Sequence, residues 1–412
     1  MAAPTQPTRT AQTDPSPRAS AQPAPPFPGP LDGRPVGRGI LPADAYTDPA
    51  VFAAETRAIF ERRWVWAGFE HWVATPGSSR PITVAGRPLL LARDKDGTLR
   101  VFHNVCRHRG LVLSEEPSTR SRLRCPYHSW TFELDGSLCG TPYFARTKNS
   151  APDDETRAAL GLLPVRHTEW AGMILVNLDE HDSTSADELL APLRRRWQPV
   201  GLDRLHLAAE RRYDIAANWK LVVENFLDYY HLPFVHPQVG PATAALDIDD
   251  VVLSDRILGG CYPRGAMGKA RKTETPLPLF ADDLPQEMAD RQDIFCVFPN
   301  ALVFLEADWF QVIGYEPVAP GQTVEHLAVF VDAAAATDTY ADARAALCQV
   351  LFEVNDQDVP ILERMQRGRH SPAADRSHLV PHWDQVTARF QLLVAEALTD
   401  VRAAGTEGAD RG

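Results

Sequence analysis

The chain has 412 residues and a formal net charge of −12, from 42 Lys and Arg against 54 Asp and Glu. This length allows two or three domains, and the acidic balance excludes the concentrated basic surface that nucleic-acid binding requires. Six cysteines are too few for a disulfide framework, and no apolar stretch reaches the roughly 20 residues of a membrane span. We therefore expect a cytoplasmic protein without a membrane or nucleic-acid partner.

Residues 1–40 are predicted to form a disordered tail, because ten prolines occur among the first 35 residues. This composition lacks the apolar core of a secretory signal and opposes an amphipathic helix. Order is predicted to begin near Leu41. Asp48 followed by Pro49 is typical of a helix start, so 41–59 is interpreted as an N-terminal helix that belongs to the larger, C-terminal part of the chain.

Residues 60–180 are predicted to form a small all-β domain. Short β-forming runs are separated by turn sequences, among them Asp94-Lys95-Asp96-Gly97 and Asp135-Gly136. The predicted strands include 82–84, 88–91, 99–102, 129–138 and 173–178.

Residues 181–400 are predicted to form a larger domain of mixed helices and strands, followed by a flexible tail at 401–412. Periodicity predicts helices at 186–197, 219–230, 340–352 and 383–398. It predicts strands at 298–310, 311–316 and 324–331, and the segment 265–290 is interpreted as a long loop. The predicted fold class is α+β, with a small all-β domain joined to a larger domain whose antiparallel sheet is covered by helices.

Four residues of the β domain have the spacing of a metal-cluster motif. Cys106 and His108 are followed after sixteen residues by Cys125 and His128. Two thiolates and two imidazoles suit a Rieske [2Fe–2S] cluster, in which histidines replace cysteines on one iron. A Cys₂His₂ zinc site uses the same ligand types, but zinc fingers place both Cys in one half and both His in the other. Here each half supplies one of each, which favours the two-iron cluster.

Three neighbours of this motif are candidates for tuning its reduction potential. Tyr127 and Ser129 could donate hydrogen bonds to sulfur, and Arg109 could act through its charge. His103 lies outside the spacing and is interpreted as structural.

A second motif lies about a hundred residues further along the chain. Asp228 and His231 are three apart, as on one face of a helix, and His236 follows with Pro233 predicted to break that helix. Alone, such a histidine pair is more often coincidental. With an electron-delivering cluster upstream, it indicates a mononuclear iron site with open positions. A third, carboxylate ligand is expected from 353–363.

With these motifs the chain resembles the Rieske non-haem iron oxygenases, the family of aromatic-ring-hydroxylating dioxygenase α subunits. The resemblance spans roughly residues 41–398 and is carried by four stretches: CRHRG at 106–110, CPYHSW at 125–130, the segment 218–237 and the segment 358–368. It implies that the iron ligands are His231, His236 and Asp358. Asp358 is preferred to Asp356 because the family's acid stands five residues before a Glu and eight before a Gln.

The resemblance also implies partners and a reaction class. Asp228 would bridge the mononuclear site and a cluster histidine of a neighbouring subunit, usually within a homotrimer. A separate NAD(P)H-dependent flavin or iron–sulfur reductase would supply electrons. Small substrates would be hydroxylated or oxidatively demethylated with O₂. The chain looks most similar to the choline, glycine betaine and carnitine monooxygenases, with aromatic-ring or aromatic-acid hydroxylation as the alternative.

Two residues depart from the family pattern. Ser129 stands where many members have Gly, which should not disturb ligation. Asp228 stands where the quaternary-ammonium enzymes carry Glu, which counts against that substrate class.

The substrate is only weakly indicated by the sequence. Aromatic and acidic residues on the predicted strands would suit a quaternary ammonium group through cation–π attraction, although a core role is favoured for each. These residues are Glu306, Asp308, Trp309, Phe310 and Tyr315. A Rieske electron carrier without oxygenase activity, and a scaffold protein with a degenerate iron site, are further alternatives that the apparently complete ligand set opposes.

Overall fold

The computed structural model describes residues 39–238, 249–263, 275–380 and 382–409. All but the last two residues of the predicted N-terminal tail lie outside these ranges, as does part of the predicted loop at 265–290. No helix in the described ranges is long and apolar enough to cross a membrane.

The small β domain consists of three antiparallel sheets of three strands each, in the orders β1-β9-β8, β2-β3-β4 and β5-β6-β7. Its nine strands are β1 (Val65–Phe69), β2 (Ser79–Val84), β3 (Arg87–Arg93), β4 (Leu99–His103), β5 (Arg122–Arg124), β6 (Thr131–Glu133), β7 (Leu138–Gly140), β8 (Arg166–Trp170) and β9 (Met173–Asn177). They all lie within the predicted range 60–180.

The larger domain is built on one seven-stranded antiparallel sheet, in the order β10-β16-β15-β14-β13-β12-β11. Its strands are β10 (Leu205–Ile215), β11 (Asp249–Ser254), β12 (Ile257–Pro263), β13 (Arg291–Val297), β14 (Ala301–Leu305), β15 (Phe310–Ala319) and β16 (Gln322–Asp332). The α-helices of the described chain are α1 (Pro49–Glu55), α2 (Asp154–Ala159), α3 (Ala186–Trp197), α4 (Trp219–Leu227), α5 (Leu232–Val235), α6 (Gln286–Asp290), α7 (Ala341–Arg369) and α8 (Gln385–Ala409). This architecture is the predicted α+β class.

The central strands of this sheet are apolar on both faces, and their alternation assigns each residue to one of two cores. Ile313 and Leu327 point toward the face covered by α4, α7 and α8, within one buried cluster. Val312 and Ala328 point to the opposite face, where β1 and α3 complete a second cluster. The sheet therefore separates a helix-covered side from a side that packs on the β domain.

The β domain is bound tightly to the large sheet through β1. The Asn300 side chain accepts from the Trp66 amide at 2.9 Å and donates to the Trp66 carbonyl at 3.0 Å. The Trp66 ring lies so close to Gly314 that a Cβ there would come within 2.1 Å of it. Because of this close approach, only glycine fits at position 314.

The N-terminal helix packs on the larger domain, as the sequence predicts. Asp48 caps α1 by accepting from the Ala50 amide at 2.7 Å, with Pro49 in the first position. Glu55, at the end of α1, forms a fully buried ion pair with Lys220 of α4 at 2.7 Å. Burial lowers the pKa of Lys220, while the Glu55 carboxylate opposes that shift. Removing one partner of such a pair would leave an uncompensated buried charge, so α1 holds the start of α4 in place.

Strands β10 to β13 of the large sheet were not predicted from the sequence, and helix α6 lies within the segment predicted to be a loop. The elements that were predicted differ from the observed ones mainly at their ends. Helix α3 has the predicted bounds, but α7 continues to Arg369 instead of ending near 352, and α8 continues to Ala409, past residue 401. No proline occurs after Trp383 to stop α8. The predicted strand 298–310 is interrupted, because residues 306–309 form the turn between β14 and β15.

Candidate metal centres and active site

The four residues of the cluster motif lie on two loops with the same backbone hydrogen bonds. In the first loop the Cys106 amide donates to the Leu111 carbonyl at 2.8 Å, and the Gly110 amide donates to the Cys106 carbonyl at 3.0 Å. In the second loop Cys125 and Ser129 repeat the pattern at 2.8 and 2.9 Å, with Trp130 as the other partner. The two halves of the motif are therefore structural copies of each other.

Each loop needs a left-handed residue at its fourth position after the cysteine. Gly110 has φ of 77° and Ser129 has φ of 60°. Glycine adopts this conformation without the steric cost that a side chain brings. Ser129, which stands where many members of the family have Gly, therefore occupies a backbone position that favours glycine and is not a cluster ligand.

The cysteines of the motif face inward and the histidines face outward. Cys106 and Cys125 are each 2% exposed, and both are free thiols. The Nδ1 atoms of His108 and His128 lie 3.1 Å apart, and both side chains are exposed. Adjacent ligands of one metal at about 2.1 Å are separated by about 3 Å, so the histidine pair fits one iron. Across the described chain, the four side chains do not form one group of ligand atoms within 4.8 Å of each other, as a single zinc ion would require.

The three candidate tuning residues make contacts with neighbouring side chains. The Ser129 hydroxyl lies 2.9 Å from Nη2 of Arg124, and the guanidinium of Arg109 lies 5.7 Å from the centre of the Tyr127 ring. Among the hydrogen bonds of the described residues, none joins Tyr127 or Ser129 to a cysteine sulfur. Their effect on the reduction potential of a bound cluster stays a prediction. His103 lies on β4, half-buried, and burial lowers its pKa.

The second motif lies where α4 ends against the cavity side of the sheet. Asp228 is the residue that follows α4, and His231 precedes the short helix α5. Pro233 stands at the start of α5, where its missing amide costs nothing, so it begins a helix and does not break one. Asp228 and His231 are therefore brought together by a turn between two helices, and not by a shared helix face as predicted.

Three side chains converge at this point. Nε2 of His231 and Nε2 of His236 are 3.2 Å apart, and Oδ1 of Asp358 lies 3.6 Å from the first and 3.0 Å from the second. Among the described residues, Oδ1 of Asp358 is a buried atom that accepts no hydrogen bond. Three converging ligand atoms spaced by about 3 Å match one face of an octahedral metal site, as in the 2-His-1-carboxylate iron centres. The donor set therefore fits a ferrous ion.

The outer ring nitrogen of His236 is held by a hydrogen bond, and that of His231 lies near a carboxylate. Nδ1 of His236 donates to Oε1 of Gln357 at 2.7 Å, and Gln238 donates to the same oxygen at 2.8 Å. Nδ1 of His231 lies 3.4 Å from Oδ2 of Asp228. Burial lowers the pKa of His231, but the carboxylates of Asp228 and Asp358 outweigh it and hold that pKa above its ordinary value. Such partners orient a ligating imidazole so that its other nitrogen faces the metal.

The two candidate acids of α7 have different surroundings. Asp358 lies in the group with the two histidines. Asp356 is half-exposed and forms an ion pair with Arg211 at 2.9 Å. The resemblance-based preference for Asp358 thus agrees with the geometry, although the ligand assignment itself stays a prediction.

A cavity of about 90 Å³ opens beside the three side chains, between α4, α7 and the sheet. Its wall is mostly aliphatic and aromatic, including Phe226 and Phe304. The polar residues that line it besides the ligand set are Asn225, Tyr229, Gln311, Glu325 and Asn355. A largely apolar cavity with a few polar groups is the usual form of a small-molecule site.

The sequence analysis did not find these lining residues. The five candidates Glu306, Asp308, Trp309, Phe310 and Tyr315 are all buried, and none lines the cavity. Trp309 lies behind the cavity wall, where its ring stacks on the ring of Phe304 with the two centroids 4.6 Å apart. The signal that could have identified Glu325 is an acidic residue at an inward-facing position of an otherwise apolar strand, which is rare without a function.

The two candidate metal centres do not touch within the chain. His108 and His128 contact each other, and their rings also contact those of Trp130 and Tyr127. In the part of the chain that the structure describes, no hydrogen bond, ion pair or ring contact joins them to Asp228. The two centres have different surroundings. The histidines of the cluster motif lie at the protein surface, whereas the histidine–aspartate group lines the cavity.

Comparison with known proteins gives matches in both domains. Residues 63–151 match the family described as the Rieske [2Fe-2S] domain, and residues 202–400 match the ring hydroxylating alpha subunit (catalytic domain). The glycine betaine monooxygenase oxygenase subunit of Chromohalobacter salexigens is 36% identical over 215 residues, covering 52% of this chain and 46% of that protein. The chloroplastic choline monooxygenase of Beta vulgaris is 27% identical over 338 residues, covering 81% of this chain and 71% of that protein.

Solved structures show the same fold. A quaternary ammonium Rieske monooxygenase has a TM-score of 0.71 at 24% identity, over 88% of this chain and 95% of that one. Naphthalene 1,2-dioxygenase from Rhodococcus sp. has a TM-score of 0.71 at 22% identity, over 87% and 94%. The chain spans about half the length of the bacterial relatives it matches. With a Rieske domain followed by a ring-hydroxylating catalytic domain, the chain belongs to the Rieske oxygenase α-subunit family.

Proposed function

We propose that this chain is the oxygenase component of a Rieske non-haem iron system, which uses O₂ and reductase-supplied electrons to oxidise a small quaternary ammonium compound. The observation that carries the proposal is the convergence of His231, His236 and Asp358 on the wall of a largely apolar cavity, in a chain that also bears the cluster motif. Relatives in both bacteria and plants are named for quaternary ammonium substrates.

Two metal groups would be held by this chain. Cys106, His108, Cys125 and His128 would hold the [2Fe–2S] cluster, while the histidine–aspartate group would hold a mononuclear ferrous ion. When bound, the cluster supplies single electrons, and the iron supplies open coordination positions for activating O₂. The overall stoichiometry of a monooxygenation is substrate, O₂, two electrons and two protons giving hydroxylated substrate and water.

The protein side chains position these groups and control access to them. Gln357 accepts a hydrogen bond from Nδ1 of His236, and Asp228 lies beside Nδ1 of His231, while both Nε2 atoms face Asp358. Apolar residues such as Val222, Leu302 and Leu351 line much of the rest of the cavity. A hydroxymethyl group formed next to a cationic nitrogen would leave as an aldehyde, which is the route to demethylation.

Asp228 is proposed as the residue that links the two kinds of centre between subunits. Its side chain is 31% exposed and lies beside His231, while His108 and His128 are exposed on the β domain. A carboxylate can accept hydrogen bonds from two imidazoles at once and so couple them. This arrangement requires a second copy of the chain, and we propose a homotrimer that receives electrons from an NAD(P)H-dependent flavin or iron–sulfur reductase.

Aromatic-ring or aromatic-acid hydroxylation is the second candidate. It is favoured by the apolar character of the cavity wall, which would accept a neutral ring.

Metal analysis combined with O₂ uptake tests the proposal. The oxygenase should contain about three irons and two labile sulfides per chain, whereas an electron carrier would contain about two irons. With a generic reductase, choline, glycine betaine or carnitine should stimulate O₂ uptake and aldehyde release, and naphthalene or benzoate should not. Uptake with the aromatic compounds alone would establish the second candidate, and two irons without substrate-dependent uptake would contradict both.

A further inference from the structure

The cavity contains one acidic side chain that the ligand group does not use. Glu325 lies on β16 and is 2% exposed, with the helix-covered core residues Leu327 and Val329 on the same face of the strand. Its Oε1 accepts a hydrogen bond from Nδ2 of Asn355 at 2.8 Å. A carboxyl group is thus held in a defined orientation at the wall of the site.

This carboxyl group has no cationic side chain beside it. Among the described residues, Glu325 takes part in no ion pair with Lys, Arg or His. The adjacent His326 points to the other face of the sheet, where it lies 3.1 Å from Glu210. Burial raises the pKa of Glu325, and the hydrogen bond from Asn355 opposes that shift. An ionised carboxylate is costly to bury unless a positive charge accompanies it.

The rest of the wall suits a positive ligand and not a negative one. Phe226, Tyr229 and Phe304 present aromatic rings to the same cavity. In the described chain, none of the lining residues is Lys or Arg. Aromatic faces attract quaternary ammonium groups through the negative potential of the ring, most strongly where water is excluded.

We propose that Glu325 binds the positively charged nitrogen of the substrate, with the aromatic side chains completing its enclosure. Glu325 would thereby be the residue that selects cations over neutral molecules of the same shape. This inference rests on the proposed function for the identity of the substrate, but it concerns binding and can be tested without turnover. The cation itself would supply the missing partner of the buried carboxylate.

The experiment measures binding of matched ligands to the full-length protein by anaerobic titration calorimetry. Choline and tetramethylammonium are the cations, and 3,3-dimethylbutan-1-ol is the neutral molecule with the shape of choline. Wild-type protein should prefer choline to the neutral alcohol. Glu325→Gln should lower the affinity for choline by about tenfold or more, and that for the alcohol by less than about threefold. Glu325→Asp, which keeps the charge on a shorter side chain, should retain part of the preference.

Glu316→Gln is the matched control. Glu316 lies on the adjacent strand β15, and burial raises its pKa as well, but it lines a different cavity together with Arg212. This variant should bind choline as the wild type does. Thermal unfolding of each variant checks that the fold is intact.

Three results would overturn the inference: wild-type protein that binds neither cation, Glu325→Gln that binds choline unchanged, or equal loss of choline and the alcohol. The outcome is separate from the proposed function. Cation binding that depends on Glu325 without any O₂ uptake would contradict the oxygenase proposal alone. O₂ uptake that is unaffected by Glu325→Gln would contradict only the role of Glu325.

Discussion

The cluster loops and the histidine–aspartate group are two metal-binding regions built in opposite ways. The cluster motif lies within 23 consecutive residues, on two loops that repeat the same backbone hydrogen bonds and expose their histidines. The second region combines the residues on either side of α5 with the middle of α7, more than 120 residues later, and buries His236 completely. The first is a local structure at the surface, and the second depends on the packing of the whole larger domain.

This difference is suited to the proposed roles of the two regions. A cluster that exchanges electrons with a reductase and a neighbouring subunit must be accessible. A site that activates O₂ must be enclosed, because water would compete with substrate and permit side reactions. The following predictions are arranged to separate the two regions, beginning with the largest effect.

Asp358→Ala should remove the mononuclear iron and leave the cluster in place. Iron should fall from about three to about two per chain with two labile sulfides retained, and activity should fall by more than the roughly 10–100-fold typical of residues behind a ligand. Iron analysis and the cluster's visible absorption measure both parts. Asp356→Ala is the control, since Asp356 lies at the surface with Arg211, and it should keep all three irons. Loss of the cluster in Asp358→Ala would show that the two regions do not fold independently.

Asp228→Asn should uncouple the two regions without removing either metal. Iron content should stay near normal, but oxidation of the reduced cluster after addition of substrate and O₂ should slow by roughly 10–100-fold, because the amide cannot accept hydrogen bonds from two imidazoles as a carboxylate does. Single-turnover stopped-flow absorption measures this rate. Asp384→Asn, in the same surface cavity as Asp228, is the comparison variant and should be close to wild type. A normal rate in Asp228→Asn would rule out the bridging role.

Exchanges at the left-handed positions of the two cluster loops should have the smallest effects. Gly110→Ala should destabilise its loop by about 1 kcal/mol, since open space surrounds the added Cβ and only the positive φ is unfavourable. Ser129→Gly should stabilise the other loop by several tenths of a kcal/mol, because glycine adopts the positive φ without strain. Loss of the hydrogen bond from Arg124 to the Ser129 hydroxyl reduces this gain. The rate of cluster loss on heating, followed by absorbance, should rise in the first variant and fall in the second. The same direction of change in both would mean that the loops are not equivalent.

The cluster motif could be located from the sequence because its geometry is local. The spacing of Cys106, His108, Cys125 and His128 itself implies two turns, and each turn closes through hydrogen bonds within a few residues. The helix start at Asp48 and Pro49 was predictable for the same reason. Such features depend on backbone preferences of neighbouring residues and little on the rest of the chain.

The histidine–aspartate group was only partly predictable. His231 and His236 are close in sequence, but the choice of Asp358 over Asp356 needed the family resemblance. Within the chain, that choice is made by the rotation of α7, which points one carboxylate at the histidines and the other at Arg211.

The cavity, and the position of Glu325 in its wall, were decided by the tertiary structure. Whether an acidic residue on β16 faces solvent, the β domain or the helices depends on the register of seven strands and on which face each helix covers. A shift of one residue would reverse its direction. The sequence by itself thus determined the kinds of metal centre and the residues of the local motif. The packing of α4, α7 and the sheet determined the enclosed space and the charge inside it, because these arise from contacts between segments far apart in the chain.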